Sequence, residues 1–218
     1  MGQKVNPTGL RAGINLKWPA RWYADKHTFG DTIGEDIKIR RFFESSFNDA
    51  GIASVEIERD SKALRIIVFS SKRGVILGKD GAGAEKLEMK LLKILRKKVS
   101  VEVKEVSQPE RDATVVAENI CRQLEQRMPF RRLAKQAIQK AVEQGAKGAK
   151  VLVSGRLGGA DMARSEFFTE GSVPLQTLRS DISYCADRAE TTFGTLGVKV
   201  WINNGQVFKA KKEEVTEA

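Results

Sequence analysis

The sequence is poor in the residues that build metal sites, disulfides and hydrolytic centres. Its 218 residues include one histidine, His27, and two cysteines, Cys121 and Cys185, which lie far apart without a C-x-x-C pair. Neither a zinc site nor a disulfide framework is indicated, and a single histidine leaves few options for a Ser-His or Cys-His hydrolase. We therefore expect no catalytic residues, no metal, no cofactor, and a reducing cytoplasmic compartment.

Long apolar segments are also lacking. No run approaches the ~18 apolar residues that a membrane span needs. The first residues, MGQKVNPTGL, have no apolar core of the kind that a secretion signal requires. We expect neither membrane insertion nor secretion.

What the chain has in excess is positive charge. It carries 38 Lys and Arg against 28 Asp and Glu, a formal net charge of +10. The surplus lies entirely between residues 61 and 148, because residues 61–106 hold 12 basic and 5 acidic side chains and residues 107–148 hold 8 and 5. A localised surplus of this kind favours a polyanionic partner such as nucleic acid.

The hydrophobic pattern predicts an α+β fold that begins with an N-terminal arm over residues 1–28. The arm holds Trp18 and Trp22 among basic residues, and these rings either stack on RNA or pack on the protein itself. A helix is predicted from Phe29 to Ala50, with a core face formed by Phe29, Ile33, Ile37, Phe43 and Phe47. Strands at residues 55–57 and 64–70 should then pair as a hairpin.

A second helix is predicted from Ala84 to Lys98, followed by a third strand at residues 99–103. Its core face would carry Ala84, Leu87, Leu91, Ile94 and Leu95. Lysines recur on a separate line of the same helix, and we call them the lysine stripe: Lys86, Lys90, Lys93 and Lys97. A row of cations on a solvated face suits the phosphates of a nucleic acid.

Ser107 and Glu110 have the spacing of a capping box around Pro109, which predicts a new helix and a domain boundary. Cys121 lies on the apolar face of that helix, so we expect its thiol in the core. Pro129 opens another helix, whose solvent side holds three cations that we call the basic arc: Arg131, Arg132 and Lys135. Strands are predicted after residue 148, and residues 208–218 are predicted to be disordered.

A tight G-x-x-G loop, formed by Gly78, Lys79, Asp80 and Gly81, precedes the second helix. The glycines let the backbone come close to a ligand and leave N–H groups free for phosphate oxygens, while the lysine adds a positive charge. A nucleotide-binding P-loop does not fit, because Gly74 is one residue too close to Gly78 and Asp80 replaces the magnesium-binding hydroxyl.

This order of elements around a G-x-x-G loop resembles the bacterial type II KH domain, whose loop clamps about four nucleotides of single-stranded RNA. Longer stretches resemble the bacterial-type family of small-subunit ribosomal protein three. They are MGQKVNPTGLRAGI, the run from Glu35 to Arg40, SGRLGGADMARSEFFTEGSVPLQTLRSDISY and GVKVWI. The resemblance extends from Met1 to about Gln206.

The resemblance implies a KH type II domain over residues 29–106 and a C-terminal α/β domain over residues 107–207, with two helices on a mixed or antiparallel sheet. It implies a structural, non-enzymatic protein that is bound to the ribosome in the cytoplasm and takes no cofactor, membrane or small-molecule partner. Its partners would be the small-subunit (16S) rRNA, mRNA and the neighbouring head proteins ten and fourteen.

Residue roles follow from the same resemblance. The basic arc would line the mRNA entrance and help to open mRNA structure, although a solvated helix face or an rRNA anchor would have the same pattern. Further cations would contact rRNA: Lys4, Arg11, Lys17, Arg21, Arg156, Arg164 and Arg179. The residues alone also allow a free KH-type RNA regulator, or an RNA-processing enzyme, which would need a carboxylate or metal cluster.

The loop sequence generates a first prediction. Asp80 places a carboxylate where RNA phosphates would bind, so Asp80→Gly should tighten single-stranded RNA binding by about 0.5–2 kcal/mol. Titration of a fluorescent oligonucleotide with both proteins measures the difference. Equal affinities would mean that the loop does not meet phosphate.

Overall fold

The structure is a computed structural model that describes residues 4–47, 49–60, 63–78 and 82–208. The described residues form six α-helices and eight β-strands, arranged in two four-stranded sheets. Two hydrophobic cores lie between these sheets and the helices packed on them. Across the same residues, no helix is both long enough and apolar enough to cross a membrane.

The N-terminal half contains a mixed sheet with the strand order β1-β2-β3-β4. Its elements are α1 (Pro7–Arg11), β1 (Ala20–Arg21), α2 (Phe29–Ser46), β2 (Ile52–Arg59), β3 (Leu64–Ser70), α3 (Arg73–Leu77), α4 (Ala82–Leu95) and β4 (Val99–Glu105). Strands β2 and β3 are antiparallel, as the predicted hairpin requires, and β4 runs parallel to β3. The arm adds a short edge strand that was not predicted, since Ala20 pairs with Ile57.

Helix α2 buries a different face from the one predicted. The expectation is wrong for the first half of the helix, where three members of the predicted core face are exposed: Phe29, Ile33 and Ile37. The buried line consists of Asp36, Ile39 and Phe43. The helix also ends at Ser46, before the predicted end at Ala50.

An ion-pair network explains how a carboxylate can lie on the inner face of α2. Arg59 of β2 donates from Nε to Asp36 Oδ1 at 3.1 Å and from Nη1 to Glu35 Oε2 at 2.6 Å. Trp22 of the arm donates from its indole N–H to Asp36 Oδ2 at 2.8 Å. These bonds compensate the loss of water around Asp36, which would otherwise be costly.

The C-terminal half is a two-layer unit in which two helices cover one face of an antiparallel sheet. A 3₁₀ turn at Pro109–Arg111 leads into α5 (Ala113–Glu125), α6 (Phe130–Glu143), β5 (Gly148–Gly155), β6 (Arg164–Gly171), β7 (Ser180–Thr191) and β8 (Gly194–Gln206). The strand order is β6-β5-β8-β7. Alternate residues of β5 and β8, such as Val151, Val153 and Val200, pack with both helices into one core.

The start of α5 differs from the prediction. The helix begins at Ala113, and its N-cap is Asp112, whose side chain accepts a hydrogen bond from Thr114 N at 2.8 Å. The Ser107–Glu110 pattern therefore does not cap the helix. Desolvation by burial raises the pKa of Asp112, although the hydrogen bonds from Thr114 and Val115 favour its charged form.

The N-terminal arm is tied to the C-terminal half by Arg11. This side chain is fully buried and makes four hydrogen bonds to backbone carbonyls. Nε donates to Ser180 O at 2.7 Å, and Nη2 donates to Leu175 O and Thr177 O at 3.0 and 2.9 Å. Nη1 donates to Pro7 O at 3.2 Å, within α1 itself. The arm thus reaches β7 with one segment and pairs with β2 through another.

Arg11 generates a prediction about stability. Arg11→Lys keeps the charge but cannot reproduce a planar fork that reaches four carbonyls, so it should lower the free energy of unfolding by about 2–4 kcal/mol. Urea unfolding of the full chain measures this loss. The control is Arg21→Lys at an exposed arginine of the same arm, which should change stability by less than about 0.5 kcal/mol. Equal losses in both variants would contradict the assignment.

Candidate nucleic-acid interface

The described part of the predicted clamp loop is its first glycine. Gly78 follows α3 with φ +65° and ψ −166°, a backbone conformation that favours glycine. Its N–H donates to Gly74 O at 2.9 Å. The other loop residues, Lys79 to Gly81, lie outside the described residues, so their proposed contacts stay predictions.

Gly83, which the sequence reasoning assigned no role, fixes the geometry on the other side of this loop. A Cβ atom at Gly83 would lie 2.4 Å from Leu77 O and 2.5 Å from Ile76 O. The first turn of α4 therefore lies directly against the last residues of α3. The loop joins two helix ends held at van der Waals distance, and any larger side chain at Gly83 would push them apart.

The lysine stripe lies on α4 except for its last member. Lys86, Lys90 and Lys93 are exposed on the helix, which ends at Leu95 rather than at Lys98 as predicted. Lys97 follows the helix end and its Nζ lies 2.7 Å from Glu35 Oε1. Burial acts to raise the pKa of Glu35, but hydrogen bonds from Lys97 and Arg59 outweigh it and lower the pKa below its ordinary value.

The basic arc lies on α6, whose opposite side is packed into the core. Arg131, Arg132 and Lys135 are exposed, whereas Leu133 and Ala134 are buried. The helix is thus held by its apolar side, and its cations project from a rigid element. Among the described residues, Arg132 and Lys135 have no carboxylate within ion-pair distance, so their charges are available to a ligand.

Arg131 is held by a carboxylate from the neighbouring strand. Its Nε and Nη2 each donate to Glu166 of β6 at 3.1 Å, and its guanidinium lies 5.6 Å from the ring centroid of Phe130. Arg164 Nε also donates to Glu166, at 3.0 Å. The hydrogen bond from Arg131 is the main reason why the pKa of Glu166 lies below its ordinary value. The structure thus joins Arg164 to the basic arc, a relation that residue spacing could not reveal.

Of the remaining cations proposed to contact rRNA, Arg11 is a wrong prediction. Its guanidinium is buried and bound to carbonyl groups, so it cannot meet RNA. Five others are exposed at the surface: Lys4, Lys17, Arg21, Arg156 and Arg179.

Two of the exposed arginines already have partners within the protein. Arg21 lies 3.4 Å from Glu56 and 3.2 Å from Glu58. Arg156 donates to Ala160 O and Phe193 O at 2.9 and 3.1 Å and so supports the turn after β5. We therefore expect Arg21 and Arg156 to contribute less to RNA binding than the unpaired cations do.

The two cysteines contribute to packing. Cys121 is buried in the core of the C-terminal half, as predicted, and desolvation raises the pKa of its thiol. Burial likewise raises the pKa of Cys185 to about 11. Both thiols are therefore protonated at neutral pH. Among the described residues, no group of three or more His, Cys, Asp or Glu side chains is placed to hold a metal ion.

Comparison with known proteins matches both halves of the chain. The family model "KH domain" matches residues 38–111, and "Ribosomal protein S3, C-terminal domain" matches residues 120–202. The predicted order of a KH domain followed by a helix-and-sheet domain is thereby confirmed, and the second sheet is antiparallel.

Three curated relatives carry the name "Small ribosomal subunit protein uS3". That of Clostridium botulinum (strain Okra / Type B1) is 50% identical over 97% of this chain and 96% of its own length. That of Clostridium beijerinckii is 50% identical over 100% and 99% of the two chains. The protein of Ligilactobacillus salivarius is 51% identical over 98% and 97%.

The carboxylate of Glu166 generates a prediction. Glu166→Gln should free Arg131 and Arg164 for phosphate, so binding of single-stranded oligouridylate should tighten. Its dependence on salt should steepen, with the slope of log K against log salt growing by about 0.7 for each arginine that gains a phosphate. Filter binding over a series of KCl concentrations measures both effects.

Glu170→Gln is the matched control for this experiment. Glu170 is an exposed carboxylate on the same strand with no ion pair among the described residues, and its replacement changes the net charge equally. If both variants bind alike, the effect is one of net charge and Glu166 has no specific role.

Proposed function

The chain belongs to the small ribosomal subunit protein uS3 family, and from this we propose that it binds the rRNA of the small-subunit head and lines the mRNA entrance channel. Its role is that of a structural constituent of the small subunit, bound to ribosomes in the cytoplasm. No enzymatic step belongs to this role. Guidance of mRNA, and the opening of its secondary structure, follow from how the cations are placed.

The observation that carries the proposal is the unpaired charge of α6. Arg132 and Lys135 project from one side of a helix whose other side is fixed in the core. With Arg131, Arg164 and Glu166 beside them, this surface holds four cations and one carboxylate. A strand of RNA carries one phosphate per nucleotide, so a rigid row of cations can hold one strand while its complement is left behind.

Opening of mRNA structure by this surface would be passive. Movement of mRNA through the ribosome supplies the work, and the basic arc favours the single-stranded form by binding its phosphates. The protein contributes binding energy and position, with no chemical step of its own. The carboxylate of Glu166 keeps Arg131 and Arg164 in place between contacts with successive phosphates.

For rRNA we propose a separate contact through the KH domain. The exposed lysines of α4 and the loop Gly78 to Gly81 lie at consecutive positions along the chain, and both suit phosphate groups. Lys4, Lys17 and Arg179 would add phosphate contacts from the arm and from the segment before β7. This division assigns rRNA anchoring to the first half and mRNA guidance to α6.

We further propose that neighbouring head proteins, by family resemblance proteins ten and fourteen, bind this chain. The apolar side of α2 supports a protein partner in addition to RNA, because Phe29, Ile33 and Ile37 are all exposed. Trp22 packs on Phe29 with ring centroids 5.6 Å apart, which extends the apolar surface onto the arm. Grouped apolar side chains of this kind mark interaction sites in soluble proteins.

Co-sedimentation tests the ribosomal role itself. We expect the chain to remain with small subunits washed in moderately high salt, because cations in several places act together on one RNA. A protein found free of washed subunits, and bound instead to selected mRNAs, would point to a KH-type regulator.

The basic arc generates a prediction of its own. Replacing Arg131, Arg132 and Lys135 with Ala should slow translation through stable mRNA hairpins while assembly of small subunits persists. With purified protein, the slope of log K against log salt for single-stranded RNA should fall by about 2, or about 0.7 for each lost phosphate contact. Reconstituted translation of hairpin-containing and unstructured messages gives the comparison.

Lys140→Ala is the control on the same helix. Lys140 is exposed, and its position lies about half a turn around α6 from Arg131. It should leave hairpin translation unchanged. Hairpin translation at the normal rate in the triple variant would refute the role of the basic arc.

A further inference from the structure

The antiparallel sheet of the C-terminal half has a second face that points away from α5 and α6. Because Val151, Val200 and the residues alternating with them form the core, their neighbours Lys150 and Trp201 must lie on the opposite face. On β6 the same alternation places Phe168 against the core and Phe167 outward. Phe167 is 66% exposed, so this part of the face is open to solvent.

Aromatic rings and a lysine meet at the centre of this face. Lys150 Nζ lies 5.1 Å from the ring centroid of Phe167 and 5.5 Å from that of Trp201. The rings of Tyr184 and Trp201 are stacked at 5.3 Å with an interplanar angle of 36°. We call these four residues, one from each strand of the sheet, the aromatic platform: Lys150, Phe167, Tyr184 and Trp201.

The charge of the same face is of one sign. The outward positions of residues 150–154, 165–169, 184–188 and 197–201 include Lys150, Arg188 and Lys199 and no Asp or Glu. Among the described residues, these three cations have no carboxylate within ion-pair distance. Burial, and then repulsion from Lys4 of the arm, lower the pKa of Lys150. An anion on this face would relieve that repulsion.

We propose that the aromatic platform is a second RNA-binding site, at which unpaired bases of the small-subunit rRNA stack on the rings while Lys150, Lys199 and Arg188 hold the adjacent phosphates. The inference rests on the proposed ribosomal role and adds a site to it. Exposed aromatic residues on a sheet with cations between them form the usual platform for unpaired bases, because every base has a face that can stack.

The composition of the face favours RNA over a protein partner. The centre of a protein–protein interface is depleted in lysine, since a desolvated ammonium group needs a partner of opposite charge. Here Lys150 lies at the centre, between two rings, with Lys199 also facing outward. The apolar side of α2, which exposes Phe29, Ile33 and Ile37, has the composition expected of a protein interface.

Binding of full-length variants to small-subunit rRNA transcribed in vitro tests the proposal. Lys150→Gln with Lys199→Gln should lower the slope of log K against log salt by about 1.5. Phe167→Gln should weaken binding about five- to hundredfold with an unchanged slope, because it removes a stacking surface and no charge. Lys140→Gln, on the helical side of the same domain, is the matched charge control and should change neither quantity.

A second measurement identifies the partner in assembled subunits. With p-benzoylphenylalanine in place of Phe167, irradiation of small subunits should cross-link the chain to RNA, giving a shifted band that ribonuclease removes. Because Phe167 is largely exposed, the replacement should not disturb folding.

The outcomes separate the two levels of the argument. Cross-linking to a protein, or wild-type rRNA affinity in both sheet variants, would overturn the platform while the ribosomal role stands. Failure of the unmodified chain to enter small subunits would instead refute the ribosomal role.

Discussion

Arg11 is removed from water, and the guanidinium must find its hydrogen-bond partners inside the protein. It finds them in carbonyl groups, three of which belong to the segment that leads into β7. The position of α1, the start of β7 and the path of the arm toward β2 are all fixed by this one side chain. The two sheets, and the RNA-binding surfaces on them, keep their relative arrangement partly because the arm is attached at both ends.

Burial divides the basic residues of this chain into two kinds. Arg11 and Arg59 are shielded from solvent and are matched to carbonyl or carboxylate groups, so their work is structural. Arg131 and Arg164 meet Glu166 at the surface, where an ion pair is weak and exchanges readily with a phosphate. Arg132 and Lys135 are unpaired among the described residues. A net charge of +10 therefore overstates some cations and understates others as ligands for RNA.

The sequence pattern predicted those elements whose residues interact over short distances. The hairpin of β2 and β3, the apolar side of α6 and the core position of Cys121 follow from periodicity alone. The inner face of α2 could not be found in this way, because Asp36 is brought inward by Arg59, which lies on another element. Arg11, Glu166 and Gly83 were missed for the same reason. Each depends on a group that is distant in sequence, and only the fold brings the two together.

The bond between Arg11 and Ser180 also has a consequence for the order of events during synthesis. The two residues are 169 positions apart, so Arg11 leaves the ribosome long before its acceptors exist. The first sheet can form while α1 is still hydrated, and docking of α1 has to wait for β7. Closure of the arm is therefore the last step of folding, and it reports that the C-terminal sheet has been completed.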